Sequence, residues 1–249
     1  MNLIDALAIP HSALVDQRIT KKLYYENVSM NISQKKLFKE ELESLQFLYN
    51  IAPSTMNIPH FMNEEYHYDN IAVIVATLKS RKYATALAEI IHKVPYPVVL
   101  IMNSEDHTLL SLSPKRINRA DNTKRTVESS ISTEWIDTQN ASEFETLFFE
   151  SIDSVKLPFE NLYRFYQALC ERVIALQASR LSGAFSNSTD SDATQRILDE
   201  IRLIDSRMTE LRNRLKKSEQ FNEKIELNIE IKKLEESREN QLKILGNLS

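Results

Sequence analysis

Ile71-Ala-Val-Ile-Val-Ala-Thr-Leu78 is an unbroken apolar run rich in β-branched residues, of the length of one buried strand. Tyr83 to Lys93 follows, with Leu87, Ile90 and Ile91 on one helical face, and Val94-Pro95 ends it. Pro97-Val98-Val99-Leu100-Ile101-Met102 then returns to strand. Strand, helix and strand with short connections make a βαβ unit, so the two strands are expected to be parallel and the crossover right-handed.

The polar turn Asn103-Ser104-Glu105-Asp106-His107 leads into a further strand from Thr108 to Leu112, and Thr126 to Ile136 carries Val127, Ile131, Trp135 and Ile136. The centre therefore reads as a mixed sheet of four to five strands, and the fold class as α/β (α+β). Upstream, Leu14, Val15, Ile19, Leu23 and Tyr24 recur at helical spacing, predicting a helix from about Ser12 to Glu26. Ser33 as an N-cap, followed by Lys36, Leu37, Leu42, Leu45 and Leu48, predicts a second helix, and the two would form an N-terminal layer. Downstream, Phe144 to Phe149 and Phe159 to Leu176 read as helices, the second starting after Pro158 with an aromatic-rich core stripe.

Ser182-Gly183-Ala184-Phe185-Ser186-Asn187-Ser188-Thr189-Asp190-Ser191-Asp192 is low in complexity and has little area to bury. It divides a body, residues 1–181, from a helical tail, 193–249, through a flexible linker, 182–192. In the tail, Ile197, Ile201, Ile204, Met208, Leu211 and Leu215 follow alternating steps of 4 and 3, a coiled-coil seam. Leu227, Ile231 and Leu234 continue it on a second arm, with Arg238 and Leu245 on the same seam, and Lys217 to Asn222 reads as the turn between. Two such arms predict an antiparallel helical hairpin, or one long helix that dimerises; either way the seam must close on itself, on the body or on another chain. The nine apolar positions from Ile197 to Leu215 and from Leu227 to Leu234 are the candidate partner-binding residues.

Composition excludes several chemistries. Gly183 and Gly246 are the only glycines, where average usage gives roughly 17. A P-loop, a Rossmann GxGxxG turn, a kinase glycine loop and a GxSxG nucleophile elbow are therefore absent. Cys170 stands alone, so no internal disulfide or CxxC site forms. His11, His60, His67, His92 and His107 are scattered, and no metal or cofactor is expected. No apolar run approaches the roughly 20 residues of a membrane span, and Met1-Asn2-Leu3-Ile4-Asp5 lacks the features of a secretory signal. The expected location is the cytoplasm.

Two constellations could carry chemistry. Asp69 heads the strand that ends in Thr77-Leu78-Lys79, echoing the acid and acid-x-lysine arrangement of metal-dependent nucleases, but Thr77 stands where the second carboxylate belongs. A divergent nuclease would use Asp69 and Lys79, with an acid from elsewhere such as Glu64, Glu65 or Glu89. The other is electrostatic. Between residues 70 and 125, Lys79, Arg81, Lys82, Lys93, Lys115, Arg116, Arg119, Lys124 and Arg125 outnumber Glu89, Glu105, Asp106 and Asp121, although the whole chain has net charge −4. Within this block, Lys115, Arg116, Arg119, Lys124 and Arg125 are the candidate nucleic-acid contacts, in a basic loop spanning 114–125.

Met1-Asn-Leu-Ile-Asp-Ala-Leu-Ala-Ile-Pro10, Lys21-Lys-Leu-Tyr-Tyr-Glu26, Pro95-Tyr-Pro-Val-Val-Leu100, Leu110-Ser-Leu-Ser-Pro-Lys-Arg-Ile-Asn118 and Thr133-Glu-Trp-Ile-Asp137 resemble a bacterial family classed as a domain of unknown function. The resemblance runs from residue 1 to about 185. Such families are met beside Swi/Snf-type helicases and DNA methyltransferases in restriction-like phage-defence loci. The resemblance implies an accessory subunit of a DNA-processing defence complex. The heptad seam, beside the lack of a complete catalytic set, predicts a non-enzymatic adaptor with a helicase or methyltransferase subunit as partner; a homo-oligomer through the coiled coil is the other arrangement expected. The resemblance supplies no catalytic residues to carry over.

Overall fold

The computed structural model of the chain describes residues 2–118, 121–127, 130–185 and 190–248, and the side chains of all of these outside 118–127. Two compact units divide it, residues 1–173 and 174–249.

Unit one opens with α1 (Leu3–Leu7), whose end is marked by Ala8 in the left-handed conformation. β1 (Leu14–Arg18), α2 (Lys21–Asn27), α3 (Ile32–Glu41) and β2 (Leu42–Ile51) follow. The expected helix over 12–26 is thus a strand and a shorter helix, and the second expected helix gives way to strand at Leu42. Both corrections have a local cause. Within β2, Leu45, Phe47, Tyr49 and Ile51 alternate at period two, a pattern that overlaps helical spacing at Leu42, Leu45 and Leu48. All five residues of β1 are exposed, and its backbone, bulged between Leu14 and Gln17 with Asp16 at φ 50°, is held by the ladder to β2. No apolar period announces such an edge strand.

α4 (Pro53–Met56) and the short strands β3 (Phe61–Met62) and β4 (His67–Tyr68) lead to β5 (Ile71–Leu78), α5 (Ala84–Ile91), β6 (Val98–Ser104) and β7 (His107–Leu112). β5 and β6 are parallel, with Ala72 opposite Val98 and Thr77 opposite Asn103, so the expected βαβ unit is present. β8 (Lys115–Asn118) and β9 (Asp121–Val127) form a separate antiparallel ribbon. β10 (Ile131–Ser132) and β11 (Ile136–Asp137) both pair with β7. The main sheet has seven strands in the order β1-β2-β5-β6-β7-β10, with β11 also on β7. It is mixed, as expected, and larger than the expected four or five strands because β1 and β2 join it.

Both faces of the sheet are buried at its central strands, which is why β5 and β6 read as continuous apolar runs. On one face Tyr24, Phe38, Leu87 and Ile91 cover Ala72, Ile74, Ala76, Leu100 and Met102. On the other, Val73, Val99, Ile101, Leu110 and Leu112 are equally enclosed. α6 (Glu143–Ser151) starts at a capping box of Ser142 and Glu145. α7 (Leu162–Ser182) begins later than Phe159 because Asn161 caps it, its Oδ1 accepting from the Arg164 N–H at 2.9 Å.

Unit two holds the end of α7, α8 (Ser191–Lys217) and α9 (Phe221–Leu248). α8 and α9 form the expected hairpin. α7 runs through Ser182 and stops at Gly183, at φ 79° with its N–H on the Ser179 carbonyl. The compact body therefore ends inside α7 rather than at 181, because the last turns of that helix belong with α8: Gln177 accepts from Arg202 at 2.9 Å. Residues 186–189 of the expected linker lie outside the described residues. Among the described residues, no helix is long and apolar enough to cross a membrane.

Candidate functional site

The sheet has two ends, and the topology sorts the basic residues between them. β4 precedes β5, and β7 delivers β8 from Leu112, opposite Val99 at the start of β6. Asp69 and the β8–β9 ribbon therefore gather at the amino ends of the parallel strands. Lys79, immediately after β5, lies at their carboxyl ends with Arg81 and Lys82.

At the amino end the expected phosphate contacts take different places. Lys115 is 1 % exposed, and its Nζ donates to the carbonyl of His92 at the end of α5. Burial holds its ammonium down to a pKa of about 8. His92 is itself buried, with Nε2 2.9 Å from Ser111 Oγ. Burial, and then the charge of Lys115, push its pKa down to about 3. Tyr166 completes this interior by donating to the Val98 carbonyl at 2.8 Å and accepting from the Ser113 N–H at 2.7 Å. Tyr68 Oη accepts from the Lys115 N–H at 3.2 Å. Lys115 thus anchors the ribbon and cannot touch a phosphate. Its residue type suggested surface; the face on which β8 leaves the sheet decided otherwise.

Arg116 is half-buried and donates to Glu65 Oε1 at 2.5 Å, while the Ile117 N–H donates to the Glu65 carbonyl at 2.7 Å. These bonds tie the ribbon to the β3–β4 hairpin. Arg119 lies outside the described residues, and so do the side chains of Lys124 and Arg125. Beside this junction stands an aromatic cluster absent from the sequence reading. Tyr163 stacks on Phe61 at 5.0 Å between ring centroids and lies 4.6 Å from Tyr66, with Tyr68 edge-on at 5.4 Å. Sequence signals for it existed in the tyrosines at 66, 68, 163 and 166, but only the docking of β3–β4 on α7 brings them together.

The nuclease pairing is corrected by the same topology. Asp69 is bonded to His67, Oδ2 to Nε2 at 2.6 Å, and the eight residues of β5, roughly 26 Å of strand at about 3.3 Å per residue, separate it from Lys79. The two side chains cannot share one catalytic site. Among the described residues, no three His, Cys, Asp or Glu side chains group as metal ligands. An apolar cleft of about 240 Å³ opens between Leu23, Tyr24, Phe47, Val94 and Tyr96. Its volume falls short of the roughly 300 to 1,000 Å³ of ordinary small-molecule sites.

In unit two the seam residues meet inside the hairpin. Leu211, Leu227 and Ile231 are buried together, with Leu215 and Leu234 against them. Ile201 and Met208 are buried as well, while Ile197 and Ile204 are half-buried. Ion pairs brace the two helices: Arg207 to Glu230 at 3.1 Å, Arg212 to Glu235 at 2.8 Å and Arg238 to Asp205 at 2.7 Å. The seam is thus engaged within one chain. α9 also carries a second apolar stripe, Phe221, Ile225 and Ile229, which is 76 %, 44 % and 52 % exposed and lies on the side of the helix opposite Leu227 and Ile231.

A sequence profile described as a domain of unknown function, DUF4391, matches residues 7–237. No curated protein and no solved structure matches the chain.

Proposed function

The chain belongs to the DUF4391 family, and we propose that it serves as a non-enzymatic accessory or adaptor subunit of a bacterial DNA-processing complex of the restriction-like, anti-phage kind. The observation that carries this reading is the two-sided first half of α9. One side closes the hairpin through Leu227 and Ile231, and the other offers Phe221, Ile225 and Ile229 to solvent. A helix that needed only to stabilise its own protomer would show charge on that outer side. Three apolar residues at four-residue spacing are the anchors of a helix laid into a groove. The partner in this reading is a helicase or methyltransferase subunit, in keeping with the resemblance of segments such as Pro95-Tyr-Pro97 and Ser111-Leu-Ser-Pro114.

The test is co-expression of the full chain with a helicase or a methyltransferase subunit of a restriction-like system. Co-purification is expected from the wild type and is lost in Ile225→Glu with Ile229→Glu, while the helical circular dichroism signal stays unchanged. A double variant that still co-purifies would overturn the reading. A homodimer formed through the same stripe is the competing outcome: light scattering would then give twice the monomer mass for the wild type and a monomer for the variant.

A further inference from the structure

The carboxyl end of β5 gathers cations from three separate segments. Lys21, the first residue of α2, donates its ammonium to the carbonyls of Lys39, at 2.8 Å, and of Leu42, where α3 gives way to β2. Lys79 enters the same corner one residue beyond the Leu42–Leu78 rung, its N–H on the Glu41 carbonyl at 3.0 Å. Partial burial, and then the neighbouring charges of Lys79 and Lys39, hold the Lys21 ammonium below the usual lysine range. Arg81 and Lys82 follow on a single 3-10 turn, where Ser80 Oγ accepts from the Lys82 N–H at 3.3 Å and the Lys82 ammonium lies 5.2 Å from the Tyr83 ring centre.

Among the described residues none of these five cations is in an ion pair. Glu40, Glu41 and Glu43 are close by in sequence, yet no carboxylate of theirs bonds to a lysine here. Like charges held together without counter-charge repel, and an acidic chain had acids available to neutralise them. Lys39, Lys79, Arg81 and Lys82 are exposed. Four exposed cations drawn from two segments of the chain suit a run of phosphates better than a single one.

We propose that Lys39, Lys79, Arg81 and Lys82, in the field of the fixed Lys21, form a contact surface for the phosphodiester backbone of a nucleic acid. This surface lies at the opposite end of β5 from the β8–β9 ribbon. It holds whether or not the hairpin docks a partner, since it involves unit one alone.

The experiment titrates the full chain into a fluorescent 20-base-pair duplex of arbitrary sequence at 50 mM and 200 mM salt. Three proteins are compared: the wild type, Lys39→Gln with Lys79→Gln, and Lys124→Gln with Arg125→Gln in the ribbon. The lysine 39/79 pair is expected to weaken binding roughly tenfold at low salt and to lower the slope of log affinity against log salt by roughly two. The ribbon pair leaves both nearly unchanged. Thermal melts of the three proteins are expected to coincide, so that the loss reports contact and not unfolding. Loss in the ribbon variant alone, equal loss in both, or no wild-type binding at low salt would each overturn the proposal. Binding to phosphatidylserine vesicles without binding to the duplex would overturn it in favour of a membrane surface.

Discussion

Lys115 shows how one side chain is decided by its neighbours. In Ser113-Pro114-Lys115-Arg116 it reads as one of a run of surface cations, yet it is fully enclosed beside His92, Ser111 and Tyr68. Its pKa of about 8 in the folded chain lies below the ordinary 10.5. Between those values the unfolded chain binds the additional proton, so stability rises as pH increases through that window. Below pH 8 both states are charged and the burial penalty is fully present. Melting temperatures at pH 7.5 and 9.5 are expected to show this rise in the wild type and to lose it in Lys115→Met, an effect on the order of 2 to 3 kcal/mol. Equal pH dependence in the two proteins would contradict the buried ammonium. His92 acts in the same direction at lower pH. With a folded pKa of about 3 against the ordinary 6.5, it leaves stability intact above pH 6.5 and removes it as the unfolded chain takes up its proton below that. Replacing it, His92→Gln, is expected to flatten the loss between pH 6.5 and 4 in acid titrations followed by circular dichroism. Tyr166 has a simpler expectation. Tyr166→Phe strands the Val98 carbonyl and the Ser113 N–H in the interior and costs about 2 kcal/mol in denaturant titrations.

Elements differ in how much of themselves they display in sequence. β5, α5 and β6 are buried on both sides or on one clear face, and their periods announce them. β1 buries no side chain, so its existence depends on β2, and β2 mixes two periods that only its ladder to β5 separates. α8 and α9 lie at the legible extreme, because a seam with steps of 4 and 3 has one geometric solution. The seam's occupancy can be read out by substitution. Leu211→Ala, at a fully buried position, is expected to cost about 2 to 5 kcal/mol and to lower the melting temperature of the helical hairpin. Ile229→Ser, on the outer stripe, is expected to change stability by less than about 0.5 kcal/mol. Should the two substitutions have equal effects, the assignment of inner and outer faces fails.

At the scale of the molecule, every ladder of the main sheet lies within residues 1–173, and the hairpin core lies within 174–249. A chain ending at residue 185 is therefore expected to keep a cooperative calorimetric transition for the sheet unit within a few degrees of that in the full chain; loss of cooperativity would show that the sheet requires the hairpin. Chain topology also splits the basic block between 70 and 125. Counted along the sequence it is one positive segment, but β5 carries Lys79, Arg81 and Lys82 to one end of the sheet while β7 returns Lys115 and Arg116 to the other. What the amino-acid sequence by itself determined is whatever depends on neighbours within a few turns: the βαβ core from its apolar runs, the absence of glycine-built phosphate loops, and the helical hairpin from its seam. Tertiary structure alone decided the burial of Lys115, the meeting of Tyr66 with Tyr163, and the convergence of Lys21 and Lys39 on the end of β5. The reason is that local free energies depend on residues near in sequence, whereas desolvation and charge proximity depend on residues brought together only when the sheet assembles.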